Sequence, residues 1–178
     1  MAAATVFHVD AATLFVGDDD PTNSQHLVLK GVKMPTLTEK TRDHSPGGGP
    51  MAIKLGMRKL EALEPTFKLE GLNPSVMNKF MPPERTMYTM RANIRDVVQQ
   101  RDIAMKAIIQ ARLQEFDMGE FGTDDSVESD YKLSEVMYYQ VFFDGEEKWY
   151  YSFAEGYAGV RIDGRQVFRQ VAANLGLV

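Results

Sequence analysis

Apolar side chains at every second position constrain this chain more than any other feature, because a period of two lines up one face of a strand and no single face of a helix. Met105, Ala107, Ile109, Ala111 and Leu113 alternate with Lys106, Ile108, Gln110, Arg112 and Gln114. Tyr88, Met90, Ala92 and Ile94 alternate with Thr89, Arg91 and Asn93. The Ala, Met, Gln and Arg content of the first run suits a helix, but helix propensity is a weak prior beside so long an alternation. Both segments are expected to be long strands.

Shorter runs repeat the pattern between turn signals. Thr5 to Val16 carries two apolar runs, Val6–Val9 and Leu14–Val16, before the polar stretch Asp18 to Ser24. Leu27, Leu29, Val32 and Met34, with Gly31 where the face changes, predict one bent strand over Gln25 to Met34. Met51, Ile53, Leu55 and Met57 alternate with Ala52, Lys54, Gly56 and Arg58, the pattern of a strand with one buried face. Phe67 and Leu69 mark another strand. Asn73 and Pro74 suit the cap and first position of a short helix over Ser75 to Phe80, which Pro82 and Pro83 stop. Tyr131 to Phe143 ends in Asp144-Gly145, a strong hairpin signal, with Trp149 to Phe153 as the return strand. A turn at Asp163-Gly164 precedes a terminal helix over Arg165 to Leu175. The sum is a mainly β, single-domain antiparallel sandwich or barrel over residues 1–178, with one short internal helix and a C-terminal helix. Long loops are expected at about 17–25, 35–50 and 117–130, and loops of that length in a small domain usually carry function.

Composition narrows the function. A chain of 178 residues, 44% apolar and 25% charged, can bury a core without covalent staples. It has no cysteine, which removes disulfides, thiolate metal sites and cysteine nucleophiles. The N-terminus, Met1 to Asp10, lacks the charged and apolar regions of a signal peptide, and no apolar run is long enough to span a bilayer as a helix. A net charge of −5 opposes long-range attraction of nucleic acid.

Motifs for chemistry are weak. Gly47-Gly48-Gly49 lacks the Lys-Ser or Lys-Thr of a phosphate loop and reads as a flexible loop tip. Asp18, Asp19, Asp20 and Asn23 lack the glycine and terminal glutamate of a calcium loop and read as a solvated turn. His8, His26 and His44 fall on separate segments without metal spacing. No Gly-x-Ser-x-Gly elbow exists. The carboxylate pairs Asp124-Asp125 and Glu146-Glu147 diverge in sequence and read as solubility charges. Trp149, Tyr150 and Tyr151 with Tyr138 and Tyr139 read as core more than as a base-stacking platform. No catalytic residue, metal ligand or cofactor is expected.

The order of elements resembles the major tail tube protein family of contractile-tailed bacteriophages: an N-terminal strand pair, Val32-Lys33-Met34-Pro35-Thr36-Leu37-Thr38 leading into a Gly-rich loop, the Met51 to Met57 strand, the helix after Asn73-Pro74, two long strands, the Asp144-Gly145 hairpin and the closing Asn174-Leu175-Gly176-Leu177. The resemblance covers nearly the whole chain. It implies a structural, non-enzymatic subunit of a phage tail tube, forming hexameric rings whose inner sheets make one large β-barrel. The rings stack helically inside a contractile sheath into a channel for DNA. Implied partners are further copies of the chain, tail sheath, tape measure, baseplate and tail terminator proteins, with transient non-specific contact to double-stranded DNA in the lumen. The implied location is the virion tail, after assembly in the host cytoplasm.

Further expectations concern assembly. Thr41, Arg42, Asp43, His44, Gly47, Gly48 and Gly49 are expected to reach the adjacent ring. By analogy with related tubes, Gln25 to Met34, Met51 to Arg58, Ala104 to Glu115 and Tyr131 to Phe143 line the lumen. Their polar faces would present Lys54, Lys106, Gln110, Arg112, Gln114, Lys132, Ser134 and Gln140, with Glu115, Glu135 and the acidic loops offsetting the basic charge. A type VI secretion tube protein would share this fold and ring. A monomeric ligand-binding β-barrel would instead enclose an apolar cavity.

Overall fold

A computed structural model describes residues 5–17, 19–123 and 126–177. Asp18 and the Asp124-Asp125 pair lie outside the described residues. Among the described residues eleven strands run in chain order: β1 (Phe7–Val16), β2 (Leu29–Lys33), β3 (Glu39–His44), β4 (Ile53–Leu60), β5 (Thr66–Glu70), β6 (Thr86–Asp96), β7 (Arg101–Asp117), β8 (Glu128–Phe143), β9 (Glu146–Ser152), β10 (Val160–Ile162) and β11 (Arg165–Gln166). Two short helices, α1 (Pro74–Met77) and α2 (Arg169–Asn174), accompany them. Asn73 caps α1, its Oδ1 accepting from Ser75 N at 3.1 Å, with Pro74 at the first position.

Nine strands form one antiparallel sheet with the path β1-β6-β7-β8-β9-β10-β11, and β5 joins β8 while carrying β2. The same edge of β8 serves two partners: Glu128 to Lys132 pair with β5, and Tyr138 to Phe143 pair with β9. Between them Glu135 takes φ 49°, and the β7–β8 register shifts at Gln110/Arg112 and Leu113/Glu115. Bulges at these points bend the two longest strands. The bend folds the sheet over: β5 and β6 stand three strand spacings apart, about 14 Å in a flat sheet, yet the rings of Phe67 and Tyr88 are 6.0 Å apart.

The fold encloses one buried cluster that includes Leu14, Phe67, Leu69, Val76, Tyr88, Ile109, Leu113, Tyr131 and Leu133. On β7 the buried side chains are Ile103, Ala107, Ile109, Ala111 and Leu113, the odd positions of the alternation. The structure is mainly β and antiparallel, as the periodicity implied.

Several boundaries differ from expectation. The two N-terminal apolar runs are one strand, β1, with a register shift between Val9 and Ala11. Gln25 to Val28 is a turn, and only Leu29–Lys33 is extended, with a bulge between Leu29 and Gly31. The segment 35–50 is not all loop: it contains β3, whose six residues are polar and exposed and so carry no alternation to read. The face of β4 expected to be buried is open, with Ile53 at 50% and Met57 at 44% exposure, because β4 pairs only with β3 and no second layer covers it. Arg165 and Gln166 extend the sheet as β11, so the terminal helix begins at Arg169. The loop expected at 17–25 contains a 3-10 turn at Pro21–Asn23, and the one expected at 117–130 is cut into from both sides, β7 running to Asp117 and β8 starting at Glu128.

Asp144 and Gly145 take φ 55° and 80°, the left-handed pair that a two-residue hairpin of type I′ requires. A Cβ at Gly145 would meet nothing within 4 Å. Gly145→Ala is therefore expected to cost only backbone strain, about 1–2 kcal/mol, read as a lower midpoint in urea with an unchanged slope.

Candidate assembly surfaces

Strand alternation places Lys106, Gln110 and Arg112 on the face of the sheet turned away from the core. Their register partners on that face are Arg91 and Phe142, Met87 and Tyr138, and Ser134. Gln140 lies opposite Ile108 and Tyr150. Lys132 and Ser134 flank the buried Leu133 and point the same way as each other. Gln114 sits in the bulge between Leu113 and Glu115. The structure thus brings Lys106, Gln110, Arg112, Ser134 and Gln140 onto one surface, with Lys132 and Gln114 at its end. Lys54 stands apart, on β4.

The basic groups of this face are mostly paired within the chain. Asp19 accepts from Arg91 Nε at 3.2 Å and from Lys106 Nζ at 3.3 Å, and also pairs with Arg91 Nη2. Glu135 takes Arg112 at 3.3 Å and Arg85 at 3.4 Å. Lys132 pairs with Glu64 at 2.9 Å. At the far side Glu147 accepts from Arg161 at 2.9 and 3.0 Å and from Gln140 at 2.7 Å, while the Arg161 guanidinium lies 3.5 Å from the centre of the Tyr150 ring. Arg161 holds the Glu147 carboxyl below the usual carboxylate range.

Asp19 was legible only as part of a solvated turn, because nothing local shows that the turn folds back across β6 and β7. Its neighbour Asp20 does behave as a turn residue, accepting from Thr22 N at 2.8 Å. The hydrogen bond from Arg91, helped by Lys106, holds the Asp19 carboxyl below its ordinary 3.8. A depressed carboxylate stabilises the fold above its unfolded value, and that contribution is lost as pH falls through the folded value. Asp19→Asn is thus expected to lower the melting temperature modestly near pH 7. The gap from the parent should close as pH drops below about 3.8, which melting curves of both proteins across pH 3–7 would check.

A second surface is the β3–β4 hairpin, here called the arm. Register pairs His44 with Ile53, Arg42 with Leu55, Asp43 with Lys54 and Thr41 with Gly56. Arg42, His44, Ile53 and Leu55 therefore share one face, and Thr41, Asp43, Lys54 and Gly56 the other. The tip holds Gly47 to Gly49 and Met51, which is 72% exposed. All seven residues expected to reach another ring lie on the arm or its tip. An apolar groove of about 820 Å³ runs between the base of the arm at Leu37 and Leu60 and the β9–β11 end at Trp149, Tyr157, Val160 and Phe168.

The third feature is the two ends of the sheet. Outside β1 only the short contact of Ser24 and Gln25 with Phe15 and Leu14 is made, so the edge over Phe7 to Ala12 has no strand beside it among the described residues. Val6, Phe7 and Val9 at that end are about half exposed or more. At the opposite end β11 pairs only with β10. The histidines remain apart: His26 contacts Ser24 at 3.0 Å, His8 lies 3.7 Å from Asp10, and His44 is on the arm. Among the described residues no group of three acidic or histidine side chains converges as a metal site.

The sequence matches the family described as phage tail tube protein FII over residues 20–176. Among curated proteins no relative matches it. Solved structures share the fold. The sheath/tube terminator of the PVC extracellular contractile injection system in its extended state is 14% identical, with a TM-score of 0.53, covering 80% of this chain and 99% of that one. The PVC sheath-tube complex in the extended state is 12% identical with a TM-score of 0.52, covering 74% and 88%. The tube-terminating cap of the anti-feeding prophage is 11% identical with a TM-score of 0.54, covering 80% and 93%.

Proposed function

The chain belongs to the phage tail tube protein FII family and is a structural tail tube subunit; we propose that six copies close into a ring and that rings stack into the inner tube of a contractile tail. The observation that carries this is one sheet open at both ends, β1 at one and β11 at the other. Unpaired edges invite strand pairing, and a contact between two different ends of the same molecule repeats head to tail until rotation closes it. Closure would merge the six sheets into one barrel and cover the β1 and β11 edges.

The face turned from the core is the proposed lumen lining, with Lys106, Gln110, Arg112, Gln114, Lys132, Ser134 and Gln140, and with Lys54 contributed by the arm. Pairing of Lys106, Arg112 and Lys132 with Asp19, Glu135 and Glu64 leaves this face little free positive charge, which favours passage of double-stranded DNA over its retention. The arm, through Thr41 to His44 and Gly47 to Gly49, is proposed to reach the adjacent ring. Sheath, baseplate, tape measure and terminator proteins are the proposed partners, assembly takes place in the host cytoplasm, and the chain has no catalytic role. Negative-stain electron microscopy of the purified protein at rising concentration tests this. Rings or hollow tubes are expected; uniform monomers at every concentration would overturn it.

A further inference from the structure

Charge is segregated along this chain. The arm, residues 39–60, holds Lys40, Arg42, Lys54, Arg58 and Lys59 against Glu39 and Asp43, a net of +3 in a chain whose total is −5. The remainder therefore carries −8. Its most acidic stretch runs from Gln114 to Asp130, where seven aspartates and glutamates, Glu115, Asp117 and Glu120 among them, occur with no lysine, arginine or histidine.

Ion pairing sets the arm apart from the rest. Ten of the fifteen lysines and arginines outside it make an ion pair. None of the arm's five does among the described residues. Glu115, Asp117, Glu120 and Glu128 likewise make none there. Among the described residues no ion pair or hydrogen bond joins the arm to the 114–130 segment within one copy. Both surfaces also expose apolar side chains, Ile53 at 50% and Met51 at 72% on the arm against Met118 at 45% and Phe121 at 65% on the acidic segment. Each has what the other lacks in charge and both expose apolar side chains, so the two surfaces are complementary, as a head-to-tail contact between copies requires.

We propose that the arm of one copy docks on residues 114–123 of a neighbouring copy. The face bearing Arg42, Ile53 and Leu55 lies against Met118 and Phe121, with the arm cations beside Glu115 and Glu120. The docking rests on the tube assembly proposed above and names the receptor for the arm. It leaves Lys54, on the opposite face, free for the lumen.

Charge reversal with rescue tests this. Lys40→Glu with Arg42→Glu, or Glu115→Lys with Glu120→Lys, is expected to raise the concentration needed for rings or tubes at least about tenfold, since like charges brought together oppose docking. All four changes in one chain are expected to restore assembly to within about threefold of the parent. Both patches are exposed, so the monomers' melting curves serve as the check on folding. The milder pair Arg42→Gln and Glu120→Gln should act in the same direction if a reversal disturbs the fold. Raising salt should weaken parent assembly, because exposed pairs are screened. Parent tubes that form normally with the arm reversed, or a fourfold variant no better than the worse double, would overturn the docking while leaving the tube standing. A parent that never assembles would overturn the tube itself.

Discussion

Phe67→Ala is expected to destabilise the monomer by about 3–5 kcal/mol, the range for truncating a buried aromatic ring. Phe67 is 2% exposed and lies at the fold of the sheet. Its ring stacks on Tyr131 with centroids 4.7 Å apart and planes at 6°, and Tyr131 in turn stacks on Phe116 at 5.0 Å. On its other side Phe67 meets Tyr88 across the closed sheet. Removing it opens a cavity among large, rigid rings anchored on β5, β6, β7 and β8, which cannot collapse inward without breaking strand register. Against a typical stability of about 5–15 kcal/mol this is a large share. For a chain of this size it corresponds to a melting temperature lower by roughly 6–20 °C. Calorimetry at concentrations too low for assembly would measure it, since assembly itself adds apparent stability. Phe153→Ala is the contrast: at 62% exposure it should shift stability by no more than about 0.5 kcal/mol. Equal effects from the two would show that β5 does not close the core.

Replacing residues 41–57 with a short glycine–serine turn should have the opposite profile, abolishing tubes while leaving the monomer folded. Every residue of β3 is exposed, and in β4 only Leu55 and Leu60 are half-buried. A lone two-stranded hairpin is marginal in water. The arm takes no part in the buried cluster, so its loss removes little core. Keeping Leu37 and Leu60 preserves the wall of the groove beside Trp149. The expected result is a monomer melting within a few degrees of the parent that sediments as a single small species at all concentrations. Tubes formed by the truncated chain would show that the arm is dispensable for assembly. Collapse of the melting transition would show that it belongs to the core after all.

The two predictions divide the molecule along a line that the sequence drew unevenly. Where one face of a strand is buried, alternation is imposed by the core, and β6, β7 and β8 could be read from it almost residue by residue. Turn chemistry was equally legible: Asp144-Gly145 acts through its own backbone, and the Asn73 side chain caps Ser75 only two residues on. The arm failed for the same reason the core succeeded. With no covering layer, β3 has no periodic apolar set to mark it as a strand, and the apolar positions of β4 signalled burial that one copy does not provide. Ile53 and Met57 are the kind of residues that a neighbouring subunit would cover.

Asp19 was a different loss. Its partners, Arg91 and Lys106, are more than seventy residues away, and the turn holding it carried only the local signal of an exposed loop. On the face turned from the core, Lys106, Arg112 and Lys132 were visible as alternating cations and Glu135 as a carboxylate among them, whereas Asp19 and Glu64 gave no local sign that they pair with Lys106 and Lys132.

By itself the sequence determined the strand-dominated class, the run of the long strands, the hairpin turns and the family resemblance, because each rests on spacing or on short-range backbone preference. Tertiary structure alone decided that the sheet folds over at Glu135, that the arm stands clear of the core, and that the cations of one face are neutralised by distant carboxylates. These depend on contacts between residues far apart in the chain, which no local period encodes.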